Sequence, residues 1–230
     1  MIPKVLFTSF KPDIKTCKNC EETIDKWKRL NNGFEVKYFS DKDVYNFFKN
    51  FPTAKVSYDC LTNGTAIADF FRISYIYKNG GIWFDFDMEP FNLSKKINLK
   101  ELDCNENIFF DLGHKNISYM LISGKKESKL FLNAINFISK RILSVSRLIK
   151  GKNIYPGLQI VGPHAFQNYI SREFNVAATD GLFPSDNKIY QSKNSLSFKY
   201  LSCYNLKKKT EQYLNISNTH GIKHWRQYHI

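Results

Sequence analysis

The residues best suited by type and spacing to do chemistry are Asp85 and Asp87, in the run Gly80-Gly81-Ile82-Trp83-Phe84-Asp85-Phe86-Asp87. The run reads as a strand, Ile82 to Asp87, in which successive side chains point to opposite faces. Ile82, Phe84 and Phe86 then share one face, and Trp83, Asp85 and Asp87 share the other. A rise of roughly 3.3 Å per residue puts the two carboxylates about 7 Å apart along the strand. Where the strand ends and bends, at Glu89-Pro90, they can converge on one ion. Carboxylates are hard oxygen ligands suited to Mg²⁺ or Mn²⁺, which keep positions open for substrate phosphates. The bland alternative is a surface strand with solvated acids, since Asp-x-Asp is common by chance. Against it, acids flanked by Ile-Trp-Phe and Phe-Met are costly to bury without a cation. Upstream, Asp69 and Arg72 are three apart and share one helix face. They read either as a helix-surface salt bridge or as a pair at the sheet's carboxyl end, where α/β folds bind ligands.

The elements that must position these residues follow from periodicity. Residues 2–10 read as a short buried strand centred on Val5, Leu6 and Phe7, broken at Pro12 and Asp13. Residues 20–31 read as a helix with Ile24, Trp27 and Leu30 on one face, stopped by Asn31-Asn32-Gly33. Phe34 to Tyr38 alternates as a strand, and Asp41 can cap a helix carrying Val44, Phe47 and Phe48. This strand–helix–strand–helix opening is the pattern of an α/β domain with a parallel sheet. Residues 65–79 form a further helix, with Phe70, Ile73, Ile76 and Tyr77 on one side, ended by Gly80-Gly81. Strands follow over 107–112 and 117–123, then a long basic amphipathic helix over 127–150 and another from Pro163 to residue 171. Short strands near 182–190 and 196–204 complete the pattern. With no repeat, low-complexity tract or linker, residues 1–230 read as one domain.

The net charge of +13, from 34 Lys and Arg against 21 Asp and Glu, favours anionic partners: nucleic acid, an anionic membrane surface or a phosphorylated substrate. The basic residues are dispersed and match no nucleic-acid-binding motif, so a basic nucleic-acid-binding protein is the weaker alternative and no nucleic-acid partner is expected. No run approaches the roughly 20 apolar residues of a membrane span, and the start is too short for a signal peptide. The default is a cytoplasmic protein. Five cysteines, an odd number without framework spacing, agree with a reducing compartment. Cys17-Lys18-Asn19-Cys20 is a lone pair that reads as free thiols near a loop.

Ala68-Asp69-Phe70-Phe71-Arg72 followed by Tyr77 to Asp87 resembles the core of the glycosyltransferases with a DXD sugar-binding region. These are family 32 of the sugar transferases, the capsular-polysaccharide and O-antigen type, related to the catalytic domains of the clostridial glucosylating toxins. Ile2-Pro3-Lys4-Val5, Val161-Gly162-Pro163 and His220-Gly221-Ile222-Lys223-His224-Trp225 resemble further signatures of that family. Phe7-Thr8-Ser9-Phe10 stands where the family carries His-Gln and a Trp, which makes Phe10 the candidate to stack on the base.

The resemblance implies a GT-A fold: a Rossmann-like nucleotide-diphospho-sugar transferase with a central mixed sheet flanked by helices. It also implies a nucleotide-diphosphate sugar donor (UDP-sugars being expected), Mn²⁺ or Mg²⁺, and retention of anomeric configuration. Carried over by position, Asp69, Arg72, Asp85 and Asp87 form the catalytic set. The donor contacts are Phe10, Asp69, Arg72, Trp83, Phe84, Asp85 and Trp225, and the metal ligands are Asp85, Asp87 and His220. The implied activity is hexosyl transfer to a growing, lipid-linked surface oligosaccharide. A peripheral contact of the basic helix (Lys140, Arg141, Arg147, Lys150) with the anionic inner leaflet would suit that acceptor. A protein-glucosylating effector, like the toxins, is the alternative.

Overall fold

The computed structural model describes residues 1–111, 117–148, 160–176 and 188–202. Seven strands form one mixed sheet: β1 (Val5–Ser9), β2 (Glu35–Phe39), β3 (Gly81–Phe84), β4 (Asn107–Asp111), β5 (Leu121–Gly124), β6 (Ile189–Gln191) and β7 (Ser197–Ser202). Their order is β2-β1-β3-β5-β4-β7-β6. β1 pairs in parallel with both β2 and β3, while β5 runs antiparallel between β3 and β4. The helices are α1 (Lys18–Leu30), α2 (Asp41–Lys49), α3 (Pro52–Tyr58), α4 (Gly64–Asn79), α5 (Lys100–Cys104), α6 (Lys129–Leu148) and α7 (Pro163–Phe174).

Period-2 alternation sorts the strand side chains onto two cores. Phe7, Trp83, Phe109, Ile122 and Tyr200 point to one side, packed against α2, α3, α4, α6 and α7. Leu6, Ile82, Phe84, Ile108 and Leu121 point to the other, packed against α1 and α5. The result is a three-layer α/β/α sandwich. β3 is buried on both faces, so the face that carries Trp83 is as apolar as its opposite over the length of the strand.

Two local readings are corrected, and one helix is added. Ser40, not Asp41, caps α2: its side chain meets the Asp43 backbone N–H, while the Asp43 carboxylate accepts from the Ser40 backbone. This reciprocal box satisfies two end donors that an Asp41 cap would leave open. Cys17 and Cys20 are buried and joined as a disulfide at the start of α1 rather than free near a loop. The short α3, begun by Pro52 in its first turn, lacked a long enough apolar repeat to be read from sequence.

Gly80-Gly81 does two jobs. Gly80, at φ +72, ends α4 by donating to the Ile76 carbonyl at 2.7 Å. A Cβ there would stand 2.7 Å from Pro3 Cδ, and one on Gly81 (φ +116) would stand 2.9 Å from the Val5 carbonyl oxygen. Both positions therefore need glycine, for backbone angle and for space. The chain can then turn from α4 straight into β3 while β3 passes close to β1, which brings the helix bearing Asp69 and Arg72 beside the strand bearing the aspartates.

No helix among the described residues is long and apolar enough to cross a membrane.

Candidate active site

From β1 the chain turns one way to β2, and β3 lies on β1's other side. The carboxyl ends of β1 and β3 thus flank a topological switch point, where open α/β sheets form their binding crevice. Phe10 follows β1 and Asp85 follows β3.

The carboxylates stand on a turn rather than in the strand. β3 ends at Phe84, and the Asp85 N–H makes one more ladder bond, to the Met120 carbonyl at 2.8 Å. The Asp85 carbonyl then accepts from the Met88 N–H at 3.0 Å. The expected bend at Glu89-Pro90 therefore comes earlier. Pairing with β1 stops at Trp83, and Phe86 is free to join Phe10, the two rings stacking 4.6 Å apart. Asp85 and Asp87 are both half-buried.

Arg72 lies at the centre of the polar cluster. Its side chain and that of Asp69 are each only 6% exposed, and they meet at 2.7 Å. Nη1 reaches Asp85 Oδ1 at 3.1 Å and also donates to the Tyr119 carbonyl. The guanidinium is close to two rings, with Cζ 4.6 Å from the Trp83 centroid and 4.5 Å from that of Tyr119. Trp83 Nε1 donates to Asp85 Oδ1 at 2.7 Å, and the Tyr119 hydroxyl donates to the Asp69 carbonyl at 3.3 Å.

The electrostatics follow from this burial. Desolvation pushes the Asp69 carboxyl up to about 7, against the pull of Arg72 and with the push of Asp85. Burial opposes the charge on Arg72, but Asp85, Asp69 and, more weakly, Tyr119 and Asp87 hold its pKa above the ordinary arginine range. Burial raises the Tyr119 hydroxyl well above its usual value, so it stays a proton donor. On the β1 side, the Tyr38 hydroxyl is raised by burial and by Asp41, and it donates to the carbonyls of Phe10 and Pro12 at 3.2 and 2.6 Å. That pair of bonds fixes the loop carrying Phe10.

Asp69, Arg72 and Asp85 are therefore brought into direct contact, and Asp87 acts on Arg72 through its charge. Trp83 has its ring in the core and its N–H on Asp85. The Phe84 side chain is wholly buried, its ring 4.1 Å from that of Trp27 on the far face of the sheet, so only its backbone could meet a ligand. Phe10 is half-buried beneath the crevice, and His220 and Trp225 lie outside the described residues. Sequence reasoning missed Tyr119. An aromatic inside the strand expected over 117–123 reads as packing, and nothing in the sequence links it to an arginine 47 positions away.

The donor set fits a divalent cation. Counted with Asp69 ionised, three carboxylates face one guanidinium, a formal charge of −2 in a part-buried crevice. Asp85 and Asp87 are the pair exposed enough to ligate. Among the described residues no three His, Cys, Asp or Glu side chains converge as a complete ligand set. Two carboxylates with water and phosphate oxygens suffice for Mg²⁺ or Mn²⁺.

Residues 17–103 match the family model of the glycosyltransferase sugar-binding region containing the DXD motif. Asp69, Arg72, Asp85 and Asp87 all fall inside that span. No curated protein is similar to the chain at a significant level. Among solved structures, the PaToxG glycosyltransferase superposes with a TM-score of 0.53 at 14% identity, over 76% of this chain and 70% of that one. The likeness shows the shared fold, a GT-A-like mixed α/β sandwich. The turn after β3 thus carries the DXD region of that family model, and over residues 17–103 the chain is similar to glycosyltransferases of the DXD sugar-binding-region type.

Proposed function

We propose that the protein is a metal-dependent, retaining hexosyltransferase that moves a sugar from a nucleotide diphosphate, UDP by expectation, to an acceptor hydroxyl. The observation that carries this reading is the Asp69–Arg72–Asp85 cluster beside the Asp85-Phe86-Asp87 turn, at the switch point between β1 and β3. In this reading Asp85 and Asp87 hold Mn²⁺ or Mg²⁺, and Asp69 and Arg72 address the donor sugar. Phe10 lies under the base, and Trp83 orients Asp85 through its N–H. A bound cation supplies charge neutralisation for the departing diphosphate. The acceptor oxygen forms its bond to the anomeric carbon on the face that the diphosphate leaves, and its proton passes to the leaving phosphate oxygen. Arg72 adds positive charge beside that site.

A panel of UDP- and GDP-hexoses incubated with Mn²⁺ tests the reading by donor hydrolysis. The expected result is turnover of a UDP-hexose, lost in excess chelator. Turnover of no donor would refute the activity, and chelator-insensitive turnover would refute the metal.

The acceptor we propose is a lipid-linked oligosaccharide at the cytoplasmic face of a membrane, a reading supported by the +13 net charge. Co-sedimentation with anionic liposomes should be strong at low salt and fall as salt rises. Absence of binding at low salt would instead favour a soluble acceptor, such as a protein.

A further inference from the structure

Arg72 can serve a donor sugar only if its guanidinium stays in one orientation, and a flexible side chain does not do so unaided. Four contacts from three parts of the chain fix it. Asp69, one turn back on α4, takes Nη2 at 2.7 Å, and Nε lies 3.4 Å from the Ala68 carbonyl. Asp85, on the turn after β3, takes Nη1 at 3.1 Å. The third part is Tyr119, on the segment leading into β5.

Tyr119 touches this arrangement at three points. Its carbonyl accepts from Arg72 Nη1. Its ring centroid lies 4.5 Å from the guanidinium carbon, and that of Trp83 lies 4.6 Å from the same atom. Its hydroxyl donates to the carbonyl of Asp69 at 3.3 Å. The next residue, Met120, receives the Asp85 N–H. One short stretch of chain thus anchors both the helix that carries Asp69 and the turn that carries Asp85. With Tyr119 only 5% exposed, the cation–π contact is desolvated and strong.

We infer that Tyr119 is a positioning residue of the donor site, which holds the Arg72 guanidinium so that it addresses Asp69 and Asp85 at once. The inference rests on the donor-site reading above for its effect on turnover, but the clamp itself is a property of the unliganded protein. A planar guanidinium packed against two rings and shared between two carboxylates rotates slowly about Cζ–Nε. Its Nη nitrogens should therefore give separate ¹⁵N resonances.

The test compares wild type with Tyr119→Phe and Tyr119→Leu, reading Arg72 ¹⁵N resonances and donor hydrolysis together. Tyr119→Phe keeps the ring and the carbonyl, so separate Nη signals and kcat/KM within about 3-fold of wild type are expected. Tyr119→Leu removes the ring face. The Nη signals should merge, and kcat/KM should fall about 30-fold, the fold-change matching a desolvated cation–π contact. If Tyr119→Leu does not fold, Tyr119→Met fills the gap with a flexible chain and takes its place. Separate Nη signals in the Leu or Met variant overturn the inference, as does unchanged kcat/KM alongside merged signals. If wild type itself turns over no donor, the functional reading fails, and the clamp is then decided by the Arg72 resonances alone.

Discussion

Asp87→Ala should lower donor turnover about 1000-fold while leaving the fold intact. The loss is of the size expected when a ligand that holds a charge-neutralising ion is removed. The stability expectation follows from where Asp87 sits. It is half-buried on a turn, near a cluster in which acids outnumber the guanidinium. The Tm of metal-free Asp87→Ala gives the baseline against which its response to metal is read. Mn²⁺ should raise the Tm of wild type by mass action, and that shift should vanish in Asp87→Ala. Together, the melts and the hydrolysis assay separate a metal ligand from a merely structural acid. Turnover at the wild-type level in this variant would sink the metal assignment.

The largest effect on stability is expected from Arg72→Leu. Breaking a buried pair by removing one partner costs about 3–5 kcal/mol, because the other charge remains buried without compensation. For a chain of this size each kcal/mol lowers Tm by roughly 2–4 °C. The deficit should depend on pH, and the sign is set by Asp69. In wild type its folded pKa, near 7, is raised above the unfolded value of about 4. Its contribution to stability is therefore fully present below about 4 and is lost as pH rises through about 7. Without Arg72 the carboxyl is driven higher still. The gap between wild type and Arg72→Leu should thus be widest near pH 8 and narrow toward pH 5, where Asp69 is neutral in both. A gap that does not change across this range would show that the variant loses packing alone. Tm against pH for wild type, Arg72→Leu and Asp69→Asn measures it, with Asp69→Asn flattening the dependence.

Much of this site could be read from the sequence because its parts lie on regular elements. The helix bearing Asp69 and Arg72 has Phe70, Ile73, Ile76 and Tyr77 on one side and a Gly-Gly stop, and the strand after it alternates. Those two facts, with the motif spacing, bring four charged residues to one end of a sheet. Burial of the Asp69–Arg72 pair was not legible, since the same spacing fits an exposed ion pair, and the deciding partner comes from 47 residues away. The end of β3 was also misjudged. The alternation of Phe84, Asp85, Phe86 and Asp87 continues past the point where ladder partners run out, and pairing, not pattern, decides where a strand stops. Trp83 shows the same limit: its place two residues before Asp85 was legible, while its N–H bond to Asp85 depends on ring orientation.

β3 has consequences beyond its four residues. It is packed on both faces, by Phe7 and Phe71 around Trp83 on one side and by Trp27 against Phe84 on the other. A slip of one position would exchange these two large rings and displace the turn that carries both acids. The shapes of side chains that no ligand touches therefore act as a gauge block for the reactive groups. Volume-conserving changes at the buried Phe7, Phe71 or Trp27 should register first as lost catalytic accuracy, in a protein that still folds.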